Sequence, residues 1–144
     1  LIRVGNGCNL VDTVYVENAA RAHIQAADGL TSGSPVCGQA YFISQGEPVN
    51  CWQWINEILA LAGLPSVSRS VSFRTAWYVG LAMEAAYRLA GRTGEPPMTR
   101  FLAAQLARSH FFDIRRARRD FGYEAGISAA EGMRRLARAL ASGA

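Results

Sequence analysis

Strand character is confined to two short stretches of a chain whose remaining pattern is helical, and two strands alone do not close a stable sheet. Asp12-Thr-Val-Tyr-Val16 is β-branched and aromatic. Gln39-Ala-Tyr-Phe-Ile-Ser44 runs its apolar residues together, as a strand covered on both faces does. The chain therefore reads as part of an α/β protein whose main sheet lies upstream, an expectation that its start on Leu1 instead of Met supports. Half of the 144 residues are hydrophobic and only 18% are charged, where about 25% is usual for a soluble domain. Some apolar surface is thus expected to be covered by something outside these residues.

The helices are marked by their ends. Glu17 to Leu30 is alanine-rich, with Asn18 near its start and Gly29 near its end. Asn50 and Gln53 stand at capping-box spacing ahead of Trp52, Ile55 and Leu59, and Gly63-Leu64-Pro65 is a stop. Ser72 to Ala90 is apolar on nearly every face, interrupted by Arg74, Glu84 and Arg88. Thr99 caps a helix to about Ser109, Ile114 to Phe121 is a basic helical turn, and Ser128 with Glu131 opens the last helix.

Several kinds of chemistry are excluded. The 15 basic residues are all arginine, so no lysine is present to form a Schiff base or to support a catalytic tyrosine. Cys8, Cys37 and Cys51 are odd in number and never in a CxxC arrangement, which argues against a disulfide framework. With only His23 and His110 beside them, no metal site is expected. The longest nearly unbroken apolar run, Ala76 to Met83, is far short of the roughly 18 residues of a spanning helix.

Three clusters carry candidate function. Tyr15 and Asn18 are delivered by a strand to a helix N-terminus, where backbone N–H groups hold polar ligands, although the commoner use of Asn there is as a cap, with Tyr15 simply packing. Arg115, Arg116, Arg118 and Arg119 form a basic run that suits phosphates. Asp113 and Asp120 flank the run, however, no aromatic is interleaved, and the net charge is only +4. A solvated helix face is the plainer reading. Trp77, Tyr78 and Tyr87 lie on the apolar helix, which by pattern alone is a core helix, a substrate lid or a membrane-facing helix.

Taken in order, these blocks resemble the C-terminal half of the extended short-chain dehydrogenase/reductases, in the branch of the 3β-hydroxysteroid and sterol-4-carboxylate dehydrogenases. The resemblance rests on Asn9-Leu-Val-Asp-Thr-Val-Tyr-Val-Glu-Asn-Ala-Ala-Arg-Ala-His23, Gly38-Gln-Ala-Tyr-Phe-Ile-Ser44, Glu95-Pro-Pro-Met-Thr-Arg100 and Phe112-Asp-Ile-Arg-Arg-Ala-Arg-Arg-Asp-Phe-Gly-Tyr123. Ser128-Ala-Ala-Glu-Gly132 closes the series in the family's usual place. The ordered set spans nearly the whole chain.

That resemblance implies a Rossmann-type α/β fold of which residues 1–144 are the mostly helical substrate-binding portion. The strand near residues 39–44 would complete the sheet of an N-terminal half. It implies NAD or NADP as cofactor, bound by that half through a Gly-rich turn, with hydride and proton chemistry run by a Tyr-x-x-x-Lys pair. Neither motif occurs in these residues, so no catalytic or cofactor-binding residue is assigned here and the portion alone is expected to be inactive. Sugar-nucleotide epimerases and dehydratases of the superfamily carry an arginine where this chain has Val11, just before Asp12. That arginine clamps a phosphate with its bidentate fork. Its absence favours an apolar substrate, such as a 3-hydroxy/3-oxo steroid or a related lipid.

Tyr15, Asn18, Trp77, Tyr78 and Arg100 are the substrate-site candidates that follow. The partners expected are the N-terminal half, a small apolar substrate and a second copy of the parent, with a peripheral membrane contact left open and no nucleic acid. The expected location is the cytoplasm, membrane association again left open. Two rivals stand beside this reading: a portion of a nucleotide-sugar epimerase or dehydratase, and a non-catalytic arginine-rich module that binds nucleic acid or protein.

Overall fold

The computed structural model describes residues 1–142. Its elements in chain order are β1 (Arg3–Val4), β2 (Leu10–Val11), α1 (Val16–Asp28), β3 (Val49–Asn50), α2 (Cys51–Leu61), β4 (Ser70–Val71), α3 (Phe73–Leu89), α4 (Arg100–Ala107), α5 (Arg115–Phe121) and α6 (Ala129–Ala141). They fall into two compact units. The first joins Leu1–Val11 to Asn50–His110, and the second joins Asp12–Val49 to the chain from Phe111 onward.

In the first unit β1 and β4 pair in parallel, with Arg3 opposite Ser70 and Val4 opposite Val71. Val4, Ala76 and Ala103 form the buried core, and Val71, Phe73, Met98 and Leu106 pack against it. The sequence dictates the helix starts here. The Asn50 side-chain oxygen accepts the N–H groups of Trp52 and Gln53 at 3.1 and 3.0 Å, and the Ser72 hydroxyl accepts that of Thr75 at 3.0 Å. Each bond satisfies one of the donors that the first turn of a helix leaves free. Trp52 is buried at the start of α2 and donates its indole N–H to the Leu106 carbonyl at 3.2 Å.

The second unit is built from α1, α5, α6 and the connections between them. Its core is Ala22, Ile114, Ala117 and Tyr123, against which Tyr41, Ile43 and Phe121 pack. The Tyr123 hydroxyl donates to the Ser44 carbonyl at 2.9 Å, so this fully buried ring keeps a partner for its one polar atom. Gly122 ends α5 at φ +68°, a left-handed cap that a β-carbon would strain.

The strand expected over residues 12–16 needs correction, whereas the one over 39–44 is expected to pair with a sheet outside these residues. Residues 12–15 lie outside any strand: β2 ends at Val11 and α1 starts at Val16, and the Thr13 carbonyl accepts the Gln45 N–H at 2.7 Å. The segment 39–44 also forms no strand among the described residues. A strand exists only where a neighbour completes its ladder, and among the described residues the N–H groups of Ala40 to Ser44 meet no acceptor. The segment is held by side chains instead. The Tyr41 hydroxyl donates to Asp120 at 2.8 Å, and Phe42 stacks on Phe112 with ring centroids 4.2 Å apart.

Candidate functional site

Tyr15 and Asn18 belong to the second unit. Tyr15 is the residue from which α1 departs, with extended backbone and no side-chain cap. Asn18 is therefore inside the first turn and is not the N-cap that its residue type suggests. It is 2% exposed. Its amide donates to Gln45 Oε1 at 3.1 Å and to the Ile127 carbonyl at 2.7 Å, while its oxygen accepts the Ile127 N–H at 3.0 Å.

Gln45 is the hub of this network. Its Oε1 also accepts the Tyr15 N–H at 3.2 Å, and its amide donates to the same Ile127 carbonyl. Both N–H donors of Asn18 are thus used internally. A buried amide so bound fixes the chain and has no donor left for a ligand. What Asn18 and Gln45 do is set the backbone from which Tyr15 projects. The Tyr15 ring lies against Gly132, where a β-carbon would stand 2.9 Å from Cδ2. The Arg135 guanidinium covers its face at 5.6 Å.

Trp77, Tyr78 and Arg100 come together in the first unit. Trp77 is half-buried and Tyr78 is 64% exposed, their rings edge to face with centroids 5.2 Å apart. Arg100 opens α4 behind the Thr99 cap and places its guanidinium 5.7 Å from the Trp77 centroid. It is gripped by Glu84, whose Oε1 accepts the Arg100 backbone N–H at 2.8 Å and whose Oε2 accepts Nε at 2.8 Å. The backbone N–H first, and the guanidinium second, hold the Glu84 carboxyl below the usual glutamate range.

Glu84 and Gln45 escape residue-type reasoning. For Glu84 a signal exists, since it is the one acid in α3 and stands four residues after Gly80 and seven after Trp77, on the same face. For Gln45 the sequence offers none.

The arginine run of α5 is largely spent within its own unit. Arg115 pairs with Asp113, whose carboxyl is held down to about 2 by the Arg115 side chain and then its backbone N–H. Arg116 and Arg119 both reach Asp120. Only Arg118 of the four has no carboxylate partner among the described residues, which counts against a phosphate-binding stripe.

The Gly5–Gly7 loop also lacks the setting of a dinucleotide cradle. The glycines of the Gly5–Gly7 loop, at φ +81° and +77°, lie between two short strands. A pyrophosphate cradle needs a glycine turn that opens a helix. Among the described residues there is no group of three His, Cys, Asp or Glu side chains that could hold a metal, and no helix long and apolar enough to cross a membrane.

Known proteins account for the pattern. A 2-alkyl-3-oxoalkanoate reductase of Shewanella oneidensis is 51% identical over 138 residues, which cover 95% of this chain and 36% of that protein. The enzyme of the same name from Stenotrophomonas maltophilia is 47% identical over 133 residues, covering 92% and 40%. The chain thus spans 36–40% of the length of these two relatives. Among solved structures, the UDP-glucuronic acid 4-epimerase of Bacillus cereus in complex with NAD aligns with 99% of this chain and 34% of its own at a TM-score of 0.56. At 13% identity that likeness speaks for the fold alone, a mostly helical part of a Rossmann-type architecture. The sequence model of one family covers residues 1–73, and with it the Asn9–His23 block that opens α1, so the chain belongs to the 3-beta hydroxysteroid dehydrogenase/isomerase family.

Proposed function

We propose that this chain is the substrate-binding portion, over residues 1–144, of an NAD(P)-dependent oxidoreductase that transfers hydride between the nicotinamide and C3 of a 3-oxo or 3-hydroxy lipid. A 3-oxoalkanoate with long alkyl arms is the first choice of substrate and a 3-oxo steroid the second. The observation that carries this reading is the 47–51% identity to two 2-alkyl-3-oxoalkanoate reductases, sustained over 92–95% of the chain. Val11 supports it, being a buried apolar residue where a sugar-nucleotide enzyme needs a phosphate clamp. In the first unit Trp77 and Tyr78 supply the flat apolar contact that such a substrate needs and Arg100 its polar border; in the second unit Tyr15 is a separate substrate-contact candidate, positioned by Asn18. Dinucleotide binding and proton transfer belong to the portion that the relatives carry in addition, and the complete enzyme is read as a homodimer.

The test is a chimera in which this chain replaces the matching portion of the Stenotrophomonas maltophilia reductase. NAD(P)H binding reports that the chimera is assembled, and NAD(P)H oxidation is then followed with a 2-alkyl-3-oxoalkanoate, a 3-oxo steroid and a UDP-sugar. Reduction of the 3-oxo lipids, with the UDP-sugar untouched, is the expected result. A chimera that binds NAD(P)H yet reduces neither 3-oxo lipid overturns the proposal.

A further inference from the structure

Five asparagines occur in the chain, and all but Asn6 are tied down. Asn9 and Asn18 are buried. Asn50 caps α2, and its Nδ2 donates to the Gly7 carbonyl at 2.9 Å. Asn56 lies within α2 and accepts the Val67 N–H at 2.8 Å. Asn6 is exposed, stands in the loop between β1 and β2, and is the one asparagine followed by glycine. The loop turns at this dipeptide, with Gly7 at φ +77°, a conformation that glycine adopts without strain.

The loop geometry bears on the chemistry of the Asn6 amide. Its Oδ1 accepts the Cys8 N–H at 3.0 Å, which folds the side chain back along the backbone at Gly7. A donor at that oxygen also stands where negative charge develops when the amide carbon is attacked. The Gly7 N–H, for its part, meets no acceptor among the described residues. Asp28-Gly29 makes the contrast: Asp28 ends α1, and the Gly29 N–H is taken by the Gln25 carbonyl at 3.1 Å.

We infer that Asn6 is a site of spontaneous deamidation, at which water converts the amide to aspartate and isoaspartate through a succinimide. The Gly7 nitrogen bonds to Asn6 Cγ, the Cγ–Nδ2 bond breaks, and ammonia leaves with the proton that Gly7 gives up. Water then opens the ring. Addition at Cγ gives aspartate, and addition at the main-chain carbonyl carbon gives isoaspartate, whose backbone is longer by one methylene. Nothing is oxidised or reduced: amide and water become acid and ammonia. An amide nitrogen is a weak nucleophile, and holding it in one turn with the carbon it attacks is what makes it effective.

The change falls where the loop is anchored. Gly7 packs so closely on Arg3 that a β-carbon would stand 2.9 Å from Cδ, and the Arg3 Nε is buried without an acceptor among the described residues. A carboxylate at position 6, with an ordinary value of about 3.9 and hence ionised at neutral pH, brings negative charge to the loop that carries this guanidinium. The added methylene of isoaspartate displaces Gly7 and Asn9, whose carbonyls hold the Asn50 side chain and the Cys51 N–H at the start of α2.

The experiment ages the chain at neutral pH, folded by circular dichroism, beside the same chain in urea, and maps both by digestion and tandem mass spectrometry. In the folded chain the mass gain of an amide turned acid should appear at Asn6, at a rate equal to or above that in urea. The rate should rise with pH, because Gly7 must lose its proton. Asn9, Asn18, Asn50 and Asn56 should remain amides over the same period, and Asp28 should not isomerise. An isoaspartyl-specific methyltransferase should label the aged chain and leave aged Asn6→Ser unlabelled. Conversion that is slower in the folded chain than in urea shows that the fold shields Asn6, and overturns the inference. So does a second asparagine that converts as fast, or a product that is aspartate alone, which is direct hydrolysis without the ring.

Discussion

Gly80 runs so close to Thr99 that a β-carbon on the glycine would stand 2.6 Å from the Thr99 carbonyl carbon. The obstacle is backbone, which no rotamer change relieves. Gly80 is in mid-helix, where alanine would ordinarily gain about 1 kcal/mol, so the contact decides the sign. Gly80→Ala should destabilise the chain by about 1–3 kcal/mol, as overpacking does, read as a lower urea midpoint with unchanged slope. A stabilised variant would show that α3 and α4 can part at this point.

The same approach brings Arg100 onto Glu84, and that pair makes stability acid-sensitive. A carboxyl held low in the folded state stabilises it above the ordinary glutamate value of about 4.3 and stops doing so as pH falls through its folded value. Glu84→Gln should therefore melt below the unaltered chain at neutral pH, and the gap should narrow once the pH drops under about 4. Asp113, held to about 2 by Arg115, should add to the acid loss without depending on Glu84. A gap that is constant from neutral to acid pH would mean that Glu84 acts by packing alone.

Asn18 separates structure from ligand binding. Asn18→Asp removes both amide donors and sets a carboxylate against the Gln45 and Ile127 oxygens that now accept from it. A buried charge facing acceptors costs several kcal/mol or forces protonation. The variant should melt much earlier at neutral pH and recover part of the loss in mild acid. A variant as stable as the unaltered chain would return Asn18 to the list of residues free to meet a ligand.

What the sequence made legible follows from the range of each interaction. Asn50, Ser72, Thr99 and Ser128 were readable as caps because a cap bonds an N–H only two or three residues away. Asn18 was not, since its partners Gln45 and Ile127 lie 27 and 109 residues along the chain, and no local rule ranks such pairings above a cap. Residues 39–44 have the composition of a strand, yet a strand is a relation to a neighbour. The apolar character of Ser72 to Ala90 was plain, whereas the side of the helix that faces inward depends on Gly80 and Thr99 meeting.

Unsatisfied backbone in that extended segment has its own consequence. The N–H groups of Ala40 to Ser44 are unpaired among the described residues, and Phe42 beside them is largely exposed. Such an edge is a template for another chain. The chain on its own should self-associate as concentration rises, and Phe42→Lys should shift it toward monomer, both read by sedimentation velocity. A chain that stays monomeric at high concentration would show that the segment is protected as it stands.

Trp77 is where packing and substrate contact can be told apart. Its ring is half-buried between Tyr78 and the Arg100 guanidinium, so it is less committed to the core than Trp52. Truncating a fully buried aromatic costs about 3–5 kcal/mol. Trp77→Ala should cost less than that, while in the chimera it should raise KM for the 3-oxo lipid several-fold and leave kcat near its original value. That split is what the loss of a uniform binding contact produces. Arg100→Met should behave in the same way for a 3-oxoalkanoate and much less so for its methyl ester, because only the acid offers a charge to the guanidinium. If Trp77→Ala melts early yet shows an unchanged KM below its melting temperature, the ring belongs to the core of the first unit and the substrate contact must be sought elsewhere on α3.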